Sequence, residues 1–240
     1  MNSNFSLDNY RLIIFDFDGV IADSLGSYRE LDRLLIKDLY NVEEQIAQIE
    51  QMSQMIKTGA INNSENDYYR FIDKKYGNGQ KSLDEIWKKI FELAPIVQRN
   101  IKLKPFALEA MQKIKAVFSW PITLATSSSR SDIDFFSAKE STIGKQIDLN
   151  KYFDAVITFD DVKKPKPDPE SFQKVINKYG TDPKKVLIFE DSLSGVLAGK
   201  AAGATVIVIE DIHNEKNKTK IQNSADLYFE NWQQFIDILK

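Results

Sequence analysis

Short runs of apolar and β-branched residues recur along the chain and predict buried parallel strands. The five runs are residues 11–15, 122–125, 155–159, 186–189 and 205–209. Helical patterns lie between the later runs, notably over residues 106–117 and over 169–179, where Asp168 is a candidate N-cap. Strands that alternate with helices in this way predict an α/β fold with a doubly wound parallel sheet.

One long stretch, from about residue 24 to residue 100, interrupts this alternation because its apolar positions follow a helical period. Ser82 and Glu85 have the spacing of a capping box at the start of one of its helices. We therefore predict a helical domain inserted into the α/β core. The predicted core domain comprises residues 1–22 and 101–240, and the predicted helical cap domain comprises residues 23–100.

Composition limits the chemistry that the protein can perform. The 240 residues carry a net charge of −3, which provides no basic field for a nucleic acid. The absence of cysteine excludes a thiol nucleophile and a thiolate metal site. The single histidine, His213, cannot form a multi-histidine site, so a metal ion would be bound by oxygen atoms, and these favour Mg²⁺.

The N-terminal segment is polar and lacks the pattern of a signal peptide, and the apolar runs are too short to cross a bilayer. We therefore expect a cytoplasmic protein whose partners include neither a membrane nor a nucleic acid. A monomer or a weak dimer is the expected oligomeric state.

Two aspartates follow the first predicted strand. The sequence FDFDGV places Asp16 and Asp18 two residues apart, on one face of an extended chain, and Gly19 then turns the chain. In an open α/β sheet, ligands bind beyond the carboxyl ends of the strands, where both carboxylates would project. The alternative is that the two side chains only cap a turn, which is a common role of Asp.

More carboxylates reach the same edge of the predicted sheet. Glu190 and Asp191 follow the strand of residues 186–189. Several carboxylates at one place repel each other unless a cation neutralises them, and an oxygen-only ligand set fits Mg²⁺. The alternative is that Asp191 or Ser192 only caps the helix that follows.

Two further loops at this edge offer groups that bind phosphate. Thr126, Ser127 and Ser128 follow the second strand, where hydroxyl and backbone N–H groups can hold phosphate oxygens, although Ser-rich turns are also ordinary loops. The loop KKPKPDP, residues 163–169, follows the third strand and carries three lysines. One ammonium group facing the carboxylates would keep Asp16 ionised and balance phosphate charge, whereas the others would be solvated.

Four motifs in order along the chain resemble those of the haloacid-dehalogenase superfamily, in its members with a helical cap. DFDGV at residues 16–20 is similar to the first motif and LATSSSR at 124–130 to the second. KKPKPDP at 163–169 is similar to the Lys-Pro-x-Pro-Asp form of the third motif, and FEDSLSG at 189–195 to the Glu-Asp-Ser-x-x-Gly form of the fourth. The resemblance implies a Rossmann-like α/β core that carries a helical cap.

The resemblance also implies an activity, namely Mg²⁺-dependent hydrolysis of a small phosphorylated metabolite by a phosphatase. It assigns Asp16 as the nucleophile that forms an aspartyl phosphate and Asp18 as the general acid and base. Thr126 and Lys164 would stabilise the transferring phosphoryl group. Lys164 is the lysine that the third motif selects from the three in its loop.

The same resemblance implies the binding residues. The phosphate would be bound by Gly19, Thr126, Ser127 and Lys164. The Mg²⁺ ion would be bound by Asp16, Asp18 through its carbonyl oxygen, and Asp191, with Glu190 in support. The helical cap would contact the rest of the substrate, with Tyr28, Arg29, Tyr68, Tyr69 and Arg70 as candidates, although packing and surface roles are commoner for such residues. Residues 137–148 form a long segment between motifs for which the resemblance offers no role.

Two alternatives to a phosphatase stay open. A phosphosugar mutase resembling β-phosphoglucomutase would use the same two aspartates, but it needs a second phosphate site, for which the helical stretch shows no clear motif. A noncatalytic binding protein could also retain the fold, since a fold does not fix a function. A catalytic base at His213 is disfavoured because no serine or carboxylate motif of a hydrolytic triad accompanies it.

Overall fold

The structure is a computed structural model that describes residues 5–57 and 65–239. The chain divides into two compact units, which we call the core unit (Met1–Ser24 and Ile101–Lys240) and the helical unit (Leu25–Asn100). The first boundary between the units follows residue 24, two residues after the predicted one, and the second follows residue 100, as predicted. Residues 58–64, which belong to the predicted helical domain, lie outside the described residues.

A six-stranded parallel sheet forms the centre of the core unit, with the strand order β3-β2-β1-β4-β5-β6. The strands are β1 (Leu12–Phe15), β2 (Ile122–Ala125), β3 (Ala155–Ile157), β4 (Val186–Glu190), β5 (Thr205–Ile209) and β6 (Leu227–Phe229). All five predicted strands are present, and the α/β parallel fold is confirmed. The prediction missed β6, because its three half-buried residues are too few to show a period.

The third strand is shorter than predicted, since it ends at Ile157 rather than at residue 159. The carboxylate of Asp161 accepts hydrogen bonds from the backbone N–H of Thr158 at 2.8 Å and from its hydroxyl at 2.9 Å. These bonds turn the chain into a short 3₁₀ helix, Phe159–Asp161, instead of extending the strand.

Within the described residues, seven α-helices of the core unit flank the sheet or connect its strands, and four lie in the helical unit. The helical unit contains α1 (Leu25–Tyr40), α2 (Ile46–Lys57), α3 (Glu65–Gly77) and α4 (Leu83–Gln98). The core unit contains α5 (Ala107–Val117), α6 (Arg130–Ser137), α7 (Leu149–Tyr152), α8 (Glu170–Tyr179), α9 (Leu193–Ala201), α10 (Lys218–Ser224) and α11 (Trp232–Ile238). None of the described helices is long and apolar enough to span a membrane.

The sheet is buried on both faces, which explains why its strands are continuous apolar runs. Alternate residues of β1 enter different apolar clusters, so Ile13 and Phe15 pack on one face while Leu12 and Ile14 pack on the other. Phe15 stacks on Phe189 of β4 with 4.8 Å between ring centroids. The packing on both faces fixes the register of the central strands, and with it the positions at which they end.

The helical unit holds its helices together by apolar clusters and a few buried polar contacts. The predicted capping box is present, since the hydroxyl of Ser82 accepts from the N–H of Glu85 and the Glu85 carboxylate accepts from the N–H of Ser82. Tyr68 is buried and donates its hydroxyl to Asp32 at 2.7 Å, which ties α3 to α1. The Tyr69 ring packs edge-on against Trp87 of α4.

The long segment of residues 137–148 is part of the core of its unit. Ile143 and Ile147 are buried in the apolar cluster on one side of the sheet. The buried hydroxyl of Ser141 donates to the carbonyl oxygen of Phe136 at 3.0 Å and accepts from the N–H of Gly144 at 2.8 Å. The segment therefore extends the apolar core.

Phe106, which immediately precedes α5, has left-handed backbone dihedral angles, with φ of 64° and ψ of 0°. A bulky residue is strained in this region, and its ring is 49% exposed, so packing does little to offset the strain. Phe106→Gly is expected to be more stable than Phe106→Ala by about 1 kcal/mol, since both lack the ring and only alanine keeps a Cβ. Urea unfolding of the two variants measures the difference, and equal stabilities would contradict the assignment of strain.

Candidate active site

The candidate site lies at the carboxyl edge of the sheet, where β2, β1 and β4 end side by side. Asp16 directly follows β1, and its backbone N–H donates to the carbonyl oxygen of Phe189 at 2.9 Å. Glu190 ends β4 and Asp191 follows it. One carboxylate oxygen from each of Asp16, Glu190 and Asp191 lies within 4.8 Å of the others, and all three residues are buried. The ladder of neighbouring strands therefore gathers the predicted carboxylates into one group.

The lysine at this site is Lys166, and the prediction of Lys164 is wrong. The Nζ atom of Lys166 lies 2.8 Å from Asp16 Oδ1 and 2.7 Å from Glu190 Oε1, and its side chain is 6% exposed. The side chain of Lys164 is 74% exposed, with its ammonium group 3.8 Å from Asp168.

The cause of this error is the repeated Lys-Pro pair in the loop before α8. The carboxylate of Glu170, at the start of α8, accepts the backbone N–H groups of Lys163 and Lys164 and so fixes the first half of the loop. Lys166 lies closer to the helix, and its ammonium group packs 4.7 Å from the centroid of the Phe172 ring. Counting back from the helix, rather than forward to the first Lys-Pro pair, would have selected Lys166.

Burial controls the electrostatics of the carboxylate group. Burial raises the pKa of Asp16 to about 7, helped by the charges of Glu190 and Asp18, although Lys166 acts in the opposite direction. Burial, together with Glu190 and Asp16, raises the pKa of Asp191 well above its usual value. The ammonium group of Lys166 therefore does not balance the negative charge of the carboxylates, and a divalent cation with oxygen ligands fits the site.

Glu190 connects the group of carboxylates to Lys166 and to the backbone at the start of α9. Burial would raise its pKa, but Lys166 and the backbone N–H groups of Ser192 and Asp191 lower it below the usual value. Its Oε2 atom accepts from the N–H of Asp191 at 2.8 Å and of Ser192 at 3.0 Å, while Oε1 accepts from Lys166. A Cβ atom at Gly195 would lie 1.7 Å from Oε1, so the glutamate requires glycine there. Ser192 caps α9. The alternative interpretation had named either Asp191 or Ser192 as this cap.

Asp18 lies beside the buried group and is held by two hydroxyls. Ser24 donates to one of its carboxylate oxygens and Ser128 donates to the other. The turn after it needs glycine for two reasons: Gly19 has φ of 75°, and a Cβ there would lie 2.3 Å from Asp191 Oδ2. The sequence pattern predicted no role for Ser24, and it placed Ser128 with Thr126 and Ser127 among the groups that could hold phosphate oxygens.

The second motif forms a tight turn between β2 and α6. Thr126 is buried, and its hydroxyl oxygen accepts from the N–H of Ser128 at 3.0 Å. Ser129 caps α6 through a capping box with Asp132. The side chain of Ser127 is exposed, and a role for it in binding phosphate stays a prediction.

The residues proposed to contact the substrate from the helical domain have varied surroundings within their own unit. Tyr68 and Tyr69 make the packing contacts described above, which the alternative interpretation expected. Arg29 is buried and donates to the carbonyl oxygen of Leu25 at 2.8 Å. Tyr28 and Arg70 are exposed.

Comparison with known proteins establishes the family. The family model of the haloacid dehalogenase-like hydrolases matches residues 10–203, and the chain belongs to this family of enzymes. The resemblance inferred from the four motifs is therefore confirmed.

Curated relatives of similar length are named as phosphatases. The phosphorylated carbohydrates phosphatase of Thermotoga maritima is 30% identical over 199 residues, which cover 80% of this chain and 81% of that protein. The fructose-1-phosphate phosphatase of Escherichia coli is 26% identical over 207 residues, which cover 83% and 96%. A Thermotoga maritima structure provisionally described as a β-phosphoglucomutase has a TM-score of 0.75 at 25% identity and covers 95% of this chain and 97% of its own.

Lys164 and Lys166, in the loop before α8, should differ sharply in their effect on stability. Lys166→Met leaves the carboxylates of Asp16 and Glu190 buried without their ammonium partner, and we expect the free energy of unfolding to fall by about 3 kcal/mol in the presence of EDTA. Lys164→Met is the matched control and should change it little, because its ion pair is exposed. Urea unfolding measures both, and equal losses would count against the assignment of Lys166.

Proposed function

We propose that the protein is a Mg²⁺-dependent phosphatase that hydrolyses a small phosphomonoester through an aspartyl phosphate on Asp16. The observation that carries this proposal is the buried carboxylate of Asp16 at the end of β1, 2.8 Å from the ammonium group of Lys166 and grouped with Asp191. Relatives that are named as phosphatases of phosphorylated carbohydrates and of fructose 1-phosphate support both the reaction and a phosphorylated sugar as the class of substrate.

The reaction has two steps. In the first, Asp16 attacks phosphorus, its new P–O bond forms as the bond to the leaving oxygen breaks, and Asp18 protonates that oxygen. In the second, Asp18 takes a proton from a water molecule that attacks the phosphorus atom, which releases inorganic phosphate and restores Asp16. The hydroxyls of Ser24 and Ser128 hold the Asp18 carboxylate beside the site for both transfers.

The carboxylates of Asp16 and Asp191 and the carbonyl oxygen of Asp18 would hold the Mg²⁺ ion, with Glu190 as a supporting residue. The ion would supply positive charge that offsets the negative charge of the carboxylates and of the phosphoryl group. Both oxygens of Glu190 already accept hydrogen bonds, so its contribution is to fix Lys166 and the backbone of Asp191. Lys166 in turn remains charged, because Asp16 and Glu190 raise its pKa against the effect of burial.

A phosphosugar mutase is the second candidate, favoured by the structural similarity to the protein provisionally described as a β-phosphoglucomutase. A mutase returns the phosphoryl group to a different hydroxyl of the sugar, whereas a phosphatase transfers it to water. Incubation with a series of hexose phosphates separates the two: a phosphatase releases inorganic phosphate from them, and a mutase gives an isomeric sugar phosphate.

The nucleophile is tested by Asp16→Asn, with Asp23→Asn as its matched control. Asp23 is exposed and lies in the same segment, so its variant should hydrolyse p-nitrophenyl phosphate at the wild-type rate. Asp16→Asn should be folded and at least about 10³-fold slower, because an amide does not attack phosphorus. Treatment with EDTA should stop the wild-type enzyme, and added Mg²⁺ should restore it. Near wild-type turnover by Asp16→Asn, or full activity in EDTA, would overturn the proposal.

A further inference from the structure

Lys104 lies on the segment that returns from the helical unit, and its partly buried ammonium group joins the Gly19 turn to the loop after β5. Its Nζ atom donates to the carbonyl oxygen of Gly19 at 2.7 Å, to that of Glu210 at 2.8 Å and to the Oδ2 atom of Asp211 at 3.0 Å. The Asp211 side chain is buried, and that of Lys104 is 12% exposed. Three acceptors match the three donors of an ammonium group, so its position is fully determined by these contacts.

The second link runs from Asp211 to the candidate metal ligand Asp191. Asp211 caps the 3₁₀ helix Ile212–Asn217, with its Oδ1 atom accepting from the N–H of His213 at 2.9 Å. This helix carries Asn214, whose side-chain amide donates to Asp191 Oδ2 at 2.6 Å and to the Asp191 carbonyl oxygen at 3.2 Å. The loop after β5 thus fixes one oxygen of the Asp191 carboxylate.

The third link reaches the same carboxylate oxygen of Asp191 through Gly19. The backbone of Gly19 lies so close to the Asp191 carboxylate that a Cβ atom would be 2.3 Å from its Oδ2. Lys104 holds the carbonyl oxygen of that same glycine. The two structures that border the Asp191 carboxylate, the Gly19 turn and the Asn214 loop, are therefore tied together by Lys104.

We propose that Lys104 is a positioning residue that fixes Asp191 for binding the divalent cation, acting both through Gly19 and through Asp211 and Asn214. This inference rests on the proposed function, because it assumes that Asp191 is a metal ligand. Residues that hydrogen-bond to metal ligands typically change metal affinity about 10- to 100-fold when they are replaced.

A role for Lys104 as a positive charge alone makes the opposite prediction. Removing a cation near a group of carboxylates leaves more negative charge at the site and should tighten the binding of Mg²⁺. Loss of positioning should instead weaken it. The sign of the change in Mg²⁺ affinity therefore separates the two explanations.

The experiment measures Mg²⁺ binding by isothermal titration to the whole protein, stripped with EDTA and without substrate. The variants are Lys104→Met and the double variant Lys104→Met/Asp211→Asn, which avoids an unpaired buried carboxylate. Lys218→Met is the matched control, since Lys218 forms its ion pairs with Glu210 at 2.6 Å and with Glu215 at 3.9 Å, close to the same loop.

Both Lys104 variants should raise the Kd for Mg²⁺ by about 10- to 100-fold, and Lys218→Met should leave it within about threefold of the wild type. An unchanged or tighter Kd in folded Lys104 variants would overturn the proposal. If both Lys104 variants fail to fold, Asn214→Leu decides, because it removes only the donor to Asp191. Its Kd should rise about tenfold, and an unchanged Kd would overturn the proposal.

Failure of the proposed function gives a different result. If the wild-type protein itself binds no Mg²⁺, the metal-dependent function fails, and the positioning role of Lys104 fails with it. If the wild type binds Mg²⁺ and the variants bind it equally well, only the positioning role fails. Melting temperatures measured in EDTA report the structural cost of each substitution separately from its effect on Mg²⁺ affinity.

Discussion

The concentration of buried negative charge at one edge of the sheet is the constraint on which the rest of the site depends. Three adjacent strands end in or are followed by polar residues, so the parallel ladder itself brings Asp16, Glu190 and Asp191 together. Carboxylates in such a place are stable only if their charge is offset. Lys166, the N–H groups at the start of α9 and the amide of Asn214 each supply part of that offset. The raised pKa values of Asp16 and Asp191 show that it is incomplete.

The parts of the fold that could be predicted from the sequence are those in which one physical rule acts alone. The central strands are buried on both faces, so their residues are uniformly apolar and the pattern is unambiguous. The carboxylates could be predicted as neighbours because residues at the ends of parallel strands share an edge. The capping box of α4 could be predicted because it is a local pattern.

The parts that could not be predicted depend on contacts between distant segments. Lys104 and Asn214 carry no recognisable motif, and each acquires its contacts only when separate loops meet at the end of the sheet. The choice between Lys164 and Lys166 depends on how a short loop enters α8, which two identical Lys-Pro pairs do not reveal. Strand β6 is too short and too exposed to show a period.

The division of the chain into two units bears on which part of a substrate the site residues of the core unit can recognise. The site residues described above, Asp16, Asp18, Lys166, Glu190 and Asp191, belong to the core unit, as does Ser24, its last residue before the helices begin. In the proposed function they would bind a phosphoryl group and a cation, which is chemistry common to the hydrolysis of many phosphate esters. The names of two relatives differ in the substrate that they give, phosphorylated carbohydrates in one and fructose 1-phosphate in the other.

The two glycines that touch carboxylates have a consequence for how this sequence can diverge. At Gly195 and at Gly19, the space that a side chain would need is already filled by the oxygens of Glu190 and Asp191. A methyl group at either position would displace an acid rather than an apolar neighbour. Each glycine and its acid are therefore expected to vary together. A residue larger than glycine can be accepted at one position only after the acid at the other has been replaced by a residue that has a shorter side chain or no carboxylate.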